Sequence, residues 1–206
     1  MSNHFTSSDL AVAAALLDYY GLPYTQRSLT DYLHQHVFGS LMTELADCLF
    51  QHGLNTTLVT AEPNLFTREV WKELYLLDYP KTLPDQLPSI NEVERIIKKG
   101  VLLRRVLPAI PEIDQELAAG RPVVISYAPA LLDPLRQPGI SQAILTPGDE
   151  QTYTVFEPLL DAQTTRQPKT SLLLAITQGQ SKDPTARSVI FSTVRQPAPT
   201  APPPVR

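Results

Sequence analysis

The sequence predicts an α+β protein in which N-terminal helices pack on a mainly antiparallel sheet. Capped, helix-forming segments crowd the first half, and β-branched apolar runs dominate the second; such segregation favours α+β over alternating α/β. With 43% apolar and 18% charged residues in 206, the chain can bury one sizeable core. A single domain is expected over residues 1–195.

The first element is the most informative. Ser7, Ser8 and Asp9 suit a helix N-terminus, where short polar side chains accept from the first free N–H groups. Strong helix formers follow to Tyr20, and Gly21 with Pro23 ends the helix. Leu10 to Leu17 is apolar nearly all round, so this helix belongs in the interior. Ser28 and Asp31 read as a capping pair for a second helix, Leu29 to His36. Gly39-Ser40 breaks the chain. A third helix runs from Leu41 to His52, with Leu41, Leu45, Cys48 and Leu49 on one face, and Gly53 closes it. Asn55 to Thr60 alternates like a strand.

Residues 68–77 read as a helix carrying Trp71, Leu74 and Leu77. Pro80, Pro84 and Pro88 exclude helix after it. Ser89 and Glu92 open another helix through Lys99, stopped by Gly100. Val101 to Leu107 reads as a strand. Pro111 opens a helix to Ala119, since proline suits the first turn, and Gly120 closes it. Pro122 to Tyr127 is an almost unbroken apolar run, the mark of a strand covered on both faces. Ser141–Thr146 and Thr152–Phe156 flank a five-residue loop and read as a hairpin. Ser171–Gln178 reads as a helix and Ser188–Thr193 as a last strand. Helices between strands at 89–99 and 111–119 allow some parallel pairing. From Gln196 the proline-rich end reads as an extended, disordered tail, residues 196–206, and more a spacer than a ligand for a proline-recognising groove.

Composition narrows the partners. A net charge of −4 offers no field for a phosphate backbone, which argues against nucleic acid. No apolar run is long enough to span a bilayer, and Met1 to Phe5 lacks the features of a secretory signal. A cytoplasmic protein is expected. One cysteine excludes an internal disulfide and a cysteine-based zinc site, and no cofactor or metal is expected.

The order of elements resembles the C39-like peptidases, papain-fold relatives of the bacteriocin-leader proteases that cut after double glycine. Tyr19-Tyr20-Gly21, Gly39-Ser40-Leu41, Gly120-Arg121-Pro122-Val123-Val124-Ile125, Ser141-Gln142-Ala143-Ile144-Leu145 and Tyr153 to Glu157-Pro158 carry the resemblance, over residues 7–193. The departures fall on the chemistry. Counted back from Tyr-Tyr-Gly, the family's nucleophilic cysteine lands on Ser8, its glycine on Asp9 and its proline on Leu10. Its histidine lands on Ser141, and its aspartate becomes Glu157. A serine without a neighbouring base is not a useful nucleophile. The resemblance therefore implies a degenerate member that keeps the fold and has lost the peptidase chemistry. It would bind a peptide or protein partner through the old cleft, with Ser8, Asp9, Ser141, Gln142 and Glu157 as contacts. The alternatives are a hydrolase with a non-standard site, in which a histidine such as His4 serves Ser8, and a structural subunit of a complex.

Other constellations read more plainly. Cys48 and His52 can touch on one helix but suit a buried cysteine and a helix-end histidine. His34 and His36, two apart, diverge on a helix and lack a third ligand. Arg104-Arg105 reads as an edge-strand surface, although a carboxylate could meet it. Asp149-Glu150 reads as a solvated turn.

Overall fold

The computed structural model describes residues 7–33, 42–60, 96–104, 106–136, 139–158, 163–177 and 188–195. Five helices and seven strands are bounded within them: α1 (Ser8–Tyr19), α2 (Gln26–Thr30), α3 (Met42–Gln51), β1 (Leu54–Thr60), β2 (Leu102–Arg104), α4 (Ile110–Ala118), β3 (Val123–Tyr127), β4 (Ser141–Pro147), β5 (Thr152–Glu157), β6 (Gln163–Pro168), α5 (Lys169–Thr177) and β7 (Ser188–Val194). A 3-10 turn, Pro129–Leu131, follows β3. Residues 96–99 are helical and lead into a turn at Gly100.

The strands form one sheet in the order β2-β1-β7-β3-β4-β5-β6. Every pairing is antiparallel except β1 with β2. The last of the described strands, β7, therefore fills the gap between the two halves. β7 pairs with β1 from Leu54↔Val194 to Thr60↔Ser188, and it meets β3 at Val124↔Ile190 and Ile125↔Val189.

Strand alternation divides the core in two. Leu54, Leu58, Val124, Ile144 and Ile190 face α1, α2 and α3. Val59, Val123, Ile125, Ala143, Leu145, Val155 and Val189 face α4 and α5. The result is a helix–sheet–helix sandwich. β3 is buried at all five positions, which explains its unbroken apolar run. In α1 every residue from Leu10 to Leu17 except Ala15 is buried, as its all-round apolar character requires.

Several elements differ from the sequence expectation. The second helix begins three residues earlier: Thr25, not Ser28, is its N-cap, and Ser28 is the third helical residue completing the capping box. The Thr25 hydroxyl accepts from the Ser28 N–H at 3.0 Å, and Ser28 Oγ accepts from the Thr25 N–H at 3.0 Å. At α1, Ser7 is the N-cap by position, but its side chain makes no capping bond. The strand expected over Val101–Leu107 shortens to β2, an edge strand whose Arg104 donates to Glu112 at 2.6 Å. β6 was not expected. Gln-Thr-Thr-Arg-Gln-Pro carries no apolar alternation, because it is an exposed edge held by backbone pairing to β5. The helix read over 68–77, the start of the helix before Gly100, His34, His36, Arg105 and the tail at 196–206 lie outside the described residues.

Candidate functional site

The start of α1 meets the start of β4. Ser8 Oγ donates to Gln142 Oε1 at 2.6 Å. Gln142 shares its sheet face with Ile144, on the α1 side, and is 7% exposed. Ser8 is half-buried and sits where the free N–H groups of the helix concentrate partial positive charge. The position suits a nucleophile, but its neighbour is an amide. Whichever way the Gln142 amide is turned, it has no nitrogen lone pair basic enough to take a hydroxyl proton.

Ser141 is one residue away and on the opposite face, because side chains alternate along a strand. Its register partner is Tyr127, which belongs to the α4–α5 side of the core. There Ser141 Oγ donates to Glu157 Oε1 at 3.1 Å. Arg136 grips the same carboxylate with two bonds, at 2.8 and 3.0 Å. Burial alone would push the Glu157 carboxyl up; the Arg136 bonds and charge, with the Tyr127 and Ser141 hydroxyls, outweigh it and hold it below 4.5. Tyr127 is pushed up, first by burial and then by the Glu157 charge. The five expected contacts thus fall into two groups. Ser8, Asp9 and Gln142 gather at the start of α1, while Ser141 and Glu157 gather on the other side of the sheet. The expectation that Ser8, Ser141 and Glu157 line one groove does not hold. The residue facing Ser8 from β4 is Gln142, and Glu157 is already neutralised by Arg136.

No protein-family model and no curated protein matches the chain. Solved structures do. A protein from Bacillus anthracis described as a C39-like peptidase superposes with TM-score 0.50 at 13% identity, covering 93% of this chain and 90% of that one. The chain has the fold of the C39-like peptidases. The peptidase domain of Streptococcus ComA, a bi-functional ABC transporter in a quorum-sensing pathway, also matches, at 12% identity over 92% of both chains. That match has a TM-score of 0.48.

Within this C39-like fold, the other candidate nucleophile is sequestered. Cys48 is fully buried, and burial, with the nearby charges of Asp47 and Asp9, pushes its thiol up to about 12. His52 Nδ1 lies 3.8 Å from Cys48 Sγ but 2.7 Å from the Cys48 carbonyl, to which it donates. Its Nε2 is 3.0 Å from Ser28 Oγ. This is the packing arrangement expected of a helix-end histidine, not a thiolate–imidazolium pair. His4 lies outside the described residues. Among the described residues no group of three metal-binding side chains occurs, and no helix is long and apolar enough to cross a membrane.

Asp9 is 1% exposed, and among the described residues its Oδ2 has no hydrogen-bond partner. Beside α1 a groove of about 260 Å³ runs between the helix and the sheet, lined by Ala15, Leu16, Tyr19, Ile144, Phe156 and three threonines among others. Arg136 escaped sequence reasoning, since nothing in the Leu-and-Pro-rich segment around it marks a partner for Glu157. Gln142 was an expected contact, but that it, rather than Ser141, faces Ser8 is fixed only by strand pairing.

Proposed function

We propose that the chain is a catalytically inactive C39-like domain that binds a peptide or protein partner through the cleft at the start of α1. The observation that carries this reading is the 2.6 Å bond from Ser8 to Gln142. A hydroxyl and an amide occupy the places of a nucleophile and its base, and neither can ionise usefully near neutrality. Both can pair with a peptide backbone: the amide donates and accepts, and so does the hydroxyl. Farther along α1, a groove beside Ala15, Leu16 and Tyr19 offers apolar side chains for a partner's own. Glu157 supports the same reading, because a carboxylate clamped by Arg136 on the far face cannot orient a base beside Ser8.

Two measurements on the purified chain test this. A fluorophosphonate probe, which labels activated serines, leaves Ser8 unmodified; covalent labelling of Ser8 would overturn the inactive assignment. Peptides selected from a displayed random library bind the wild type, and Ser8→Trp, which fills the cleft mouth, weakens binding at least tenfold. Selected peptides that bind Ser8→Trp as tightly as wild type would remove the cleft from the reading.

A further inference from the structure

At the C-terminal end of α1 an exposed aromatic ring is held in place. Tyr19 is 57% exposed, yet its hydroxyl donates to the Gly120 carbonyl at 2.8 Å. Its ring also meets Tyr20 edge-on, with centroids 5.1 Å apart. Tyr20 is fixed in turn, its hydroxyl donating to the Ser192 carbonyl at 2.9 Å. A tyrosine tied at both ring and hydroxyl offers a flat face with little conformational entropy left to lose. That ring lines the groove of about 260 Å³ beside α1, together with Pro122, Ile144 and Phe156. Thr146 and Thr164, also in its wall, bring hydroxyls that can donate to carbonyls.

Aromatic walls with hydroxyl donors between them suit a polyproline II segment. Such a segment makes no internal hydrogen bonds, so its carbonyls are free to accept, and its ring faces lie flat on aromatic side chains. The chain carries proline in the right density. Five of the eleven residues after Arg195 are proline: Pro197, Pro199, Pro202, Pro203 and Pro204. Pairing along the β6 edge does not suit them, because a proline has no N–H to give to a ladder. By composition alone this stretch reads as a spacer; the structure fixes where it begins.

Arg195 is pinned just beyond β7. Its N–H donates to the Gly53 carbonyl at 2.8 Å. Its guanidinium lies 3.9 Å from the Phe50 ring centroid and donates to the Phe50 carbonyl at 2.8 Å. Phe50 packs in the α1–α3 layer, so Arg195 stands on the groove's side of the sheet. Strand register then gives the distance. One step from Val124↔Ile190, Val123 is level with Phe191, and Val123 pairs with Leu145. Thr146 is therefore level with Ser192, and Thr154 pairs with Thr146. Thr154 lies three strands from β7 and three residues short of Arg195, about 18 Å away by strand spacing and rise. Thr164 pairs with Phe156, which pairs with Ile144; it is four strands away, at about 25 Å. Eleven residues of polyproline II span about 34 Å, enough to cross the whole groove.

We propose that the proline-rich stretch 197–204 docks as a polyproline II segment in the Tyr19–Phe156 groove of its own chain. The contact does not depend on a peptide's binding at Ser8. It makes the groove a self-occupied surface that any other apolar ligand has to clear.

The test is methyl NMR on the full chain carrying a nitroxide at Val205→Cys, attached under native conditions in which Cys48 stays buried. Docking bleaches the Thr154 and Thr164 methyl signals, which return when the nitroxide is reduced. Leu117 and Leu172, on the far face of the sheet, keep theirs. In the same labelled chain Tyr19→Ser restores the bleached signals by removing the ring. Should that variant fail to fold, Pro202→Ser/Pro203→Ser/Pro204→Ser restores them with every groove residue intact. No bleaching in the labelled chain, or bleaching undiminished in these variants, would overturn the proposal. So would equally strong bleaching of a nitroxide-free, isotope-labelled chain mixed with the nitroxide-bearing one, since the occupant would then be a second copy's tail.

Discussion

At the scale of single residues, burial and partner choice decide the chemistry. Cys48 illustrates burial. A thiol pushed up to about 12 contributes almost no thiolate at neutral pH. The native chain should therefore resist Ellman's reagent at pH 8, while the chain in guanidinium reacts with one equivalent; rapid reaction of the native chain would contradict the packing assigned to α3. Glu157 illustrates partner choice. Its carboxyl is held below its ordinary value in the folded state, so folding favours the ionised form. The stability it contributes is fully present above the unfolded value near 4.5 and is lost as pH falls through the lower folded value. Glu157→Gln should cost about 2 kcal/mol at pH 7, less than a fully buried pair because Arg136 is partly exposed. It should also flatten the fall of Tm below pH 4.5. Unchanged acid sensitivity in this variant would show that other carboxylates carry it.

At the scale of elements, helix ends were legible because their chemistry is local. The Gly21 and Leu22 N–H groups close α1 by bonding Asp18 and Leu17 carbonyls, at 3.1 and 2.9 Å, the paired pattern that a left-handed residue permits. Gly100 repeats it, with φ +116, and a β-carbon there would lie 2.9 Å from Phe50 Cζ. Gly100→Ala should therefore lose about 2 kcal/mol through backbone strain and displacement of that ring, read as a lower urea midpoint with an unchanged slope. Where local chemistry is ambiguous, reading slipped. Ser28 looks equally like a cap and like the third residue of a capping box, and the Thr25 hydroxyl decided between them. β6 has no pattern of its own because both its faces are largely exposed.

At the scale of the whole molecule, one sheet serves two helical layers. Leu17 lies in the α1–α3 layer and Leu172 in the α4–α5 layer, both fully buried. Because β3, β4 and β7 contribute side chains to both, Leu17→Ala and Leu172→Ala should each lower one common unfolding transition, by about 2–5 kcal/mol. Two separable transitions in either variant would show that the layers unfold independently.

The sequence by itself determined most of the described helices and strands though not β6, where most of those helices stop, the burial of α1 and β3, and the presence of serine where the resemblance expects a cysteine. These follow from nearest-neighbour chemistry and from periodicity, both written along the chain. Only the tertiary structure decided that β7 inserts between β1 and β3, that α4 and α5 cover a second face, and that Gln142 rather than Ser141 faces Ser8. Strand order and register are set by contacts between residues far apart in sequence. A shift of one residue moves a side chain to the other face of the sheet, and that single step separates a polar pair at the start of α1 from a serine bound to Glu157 on the far side.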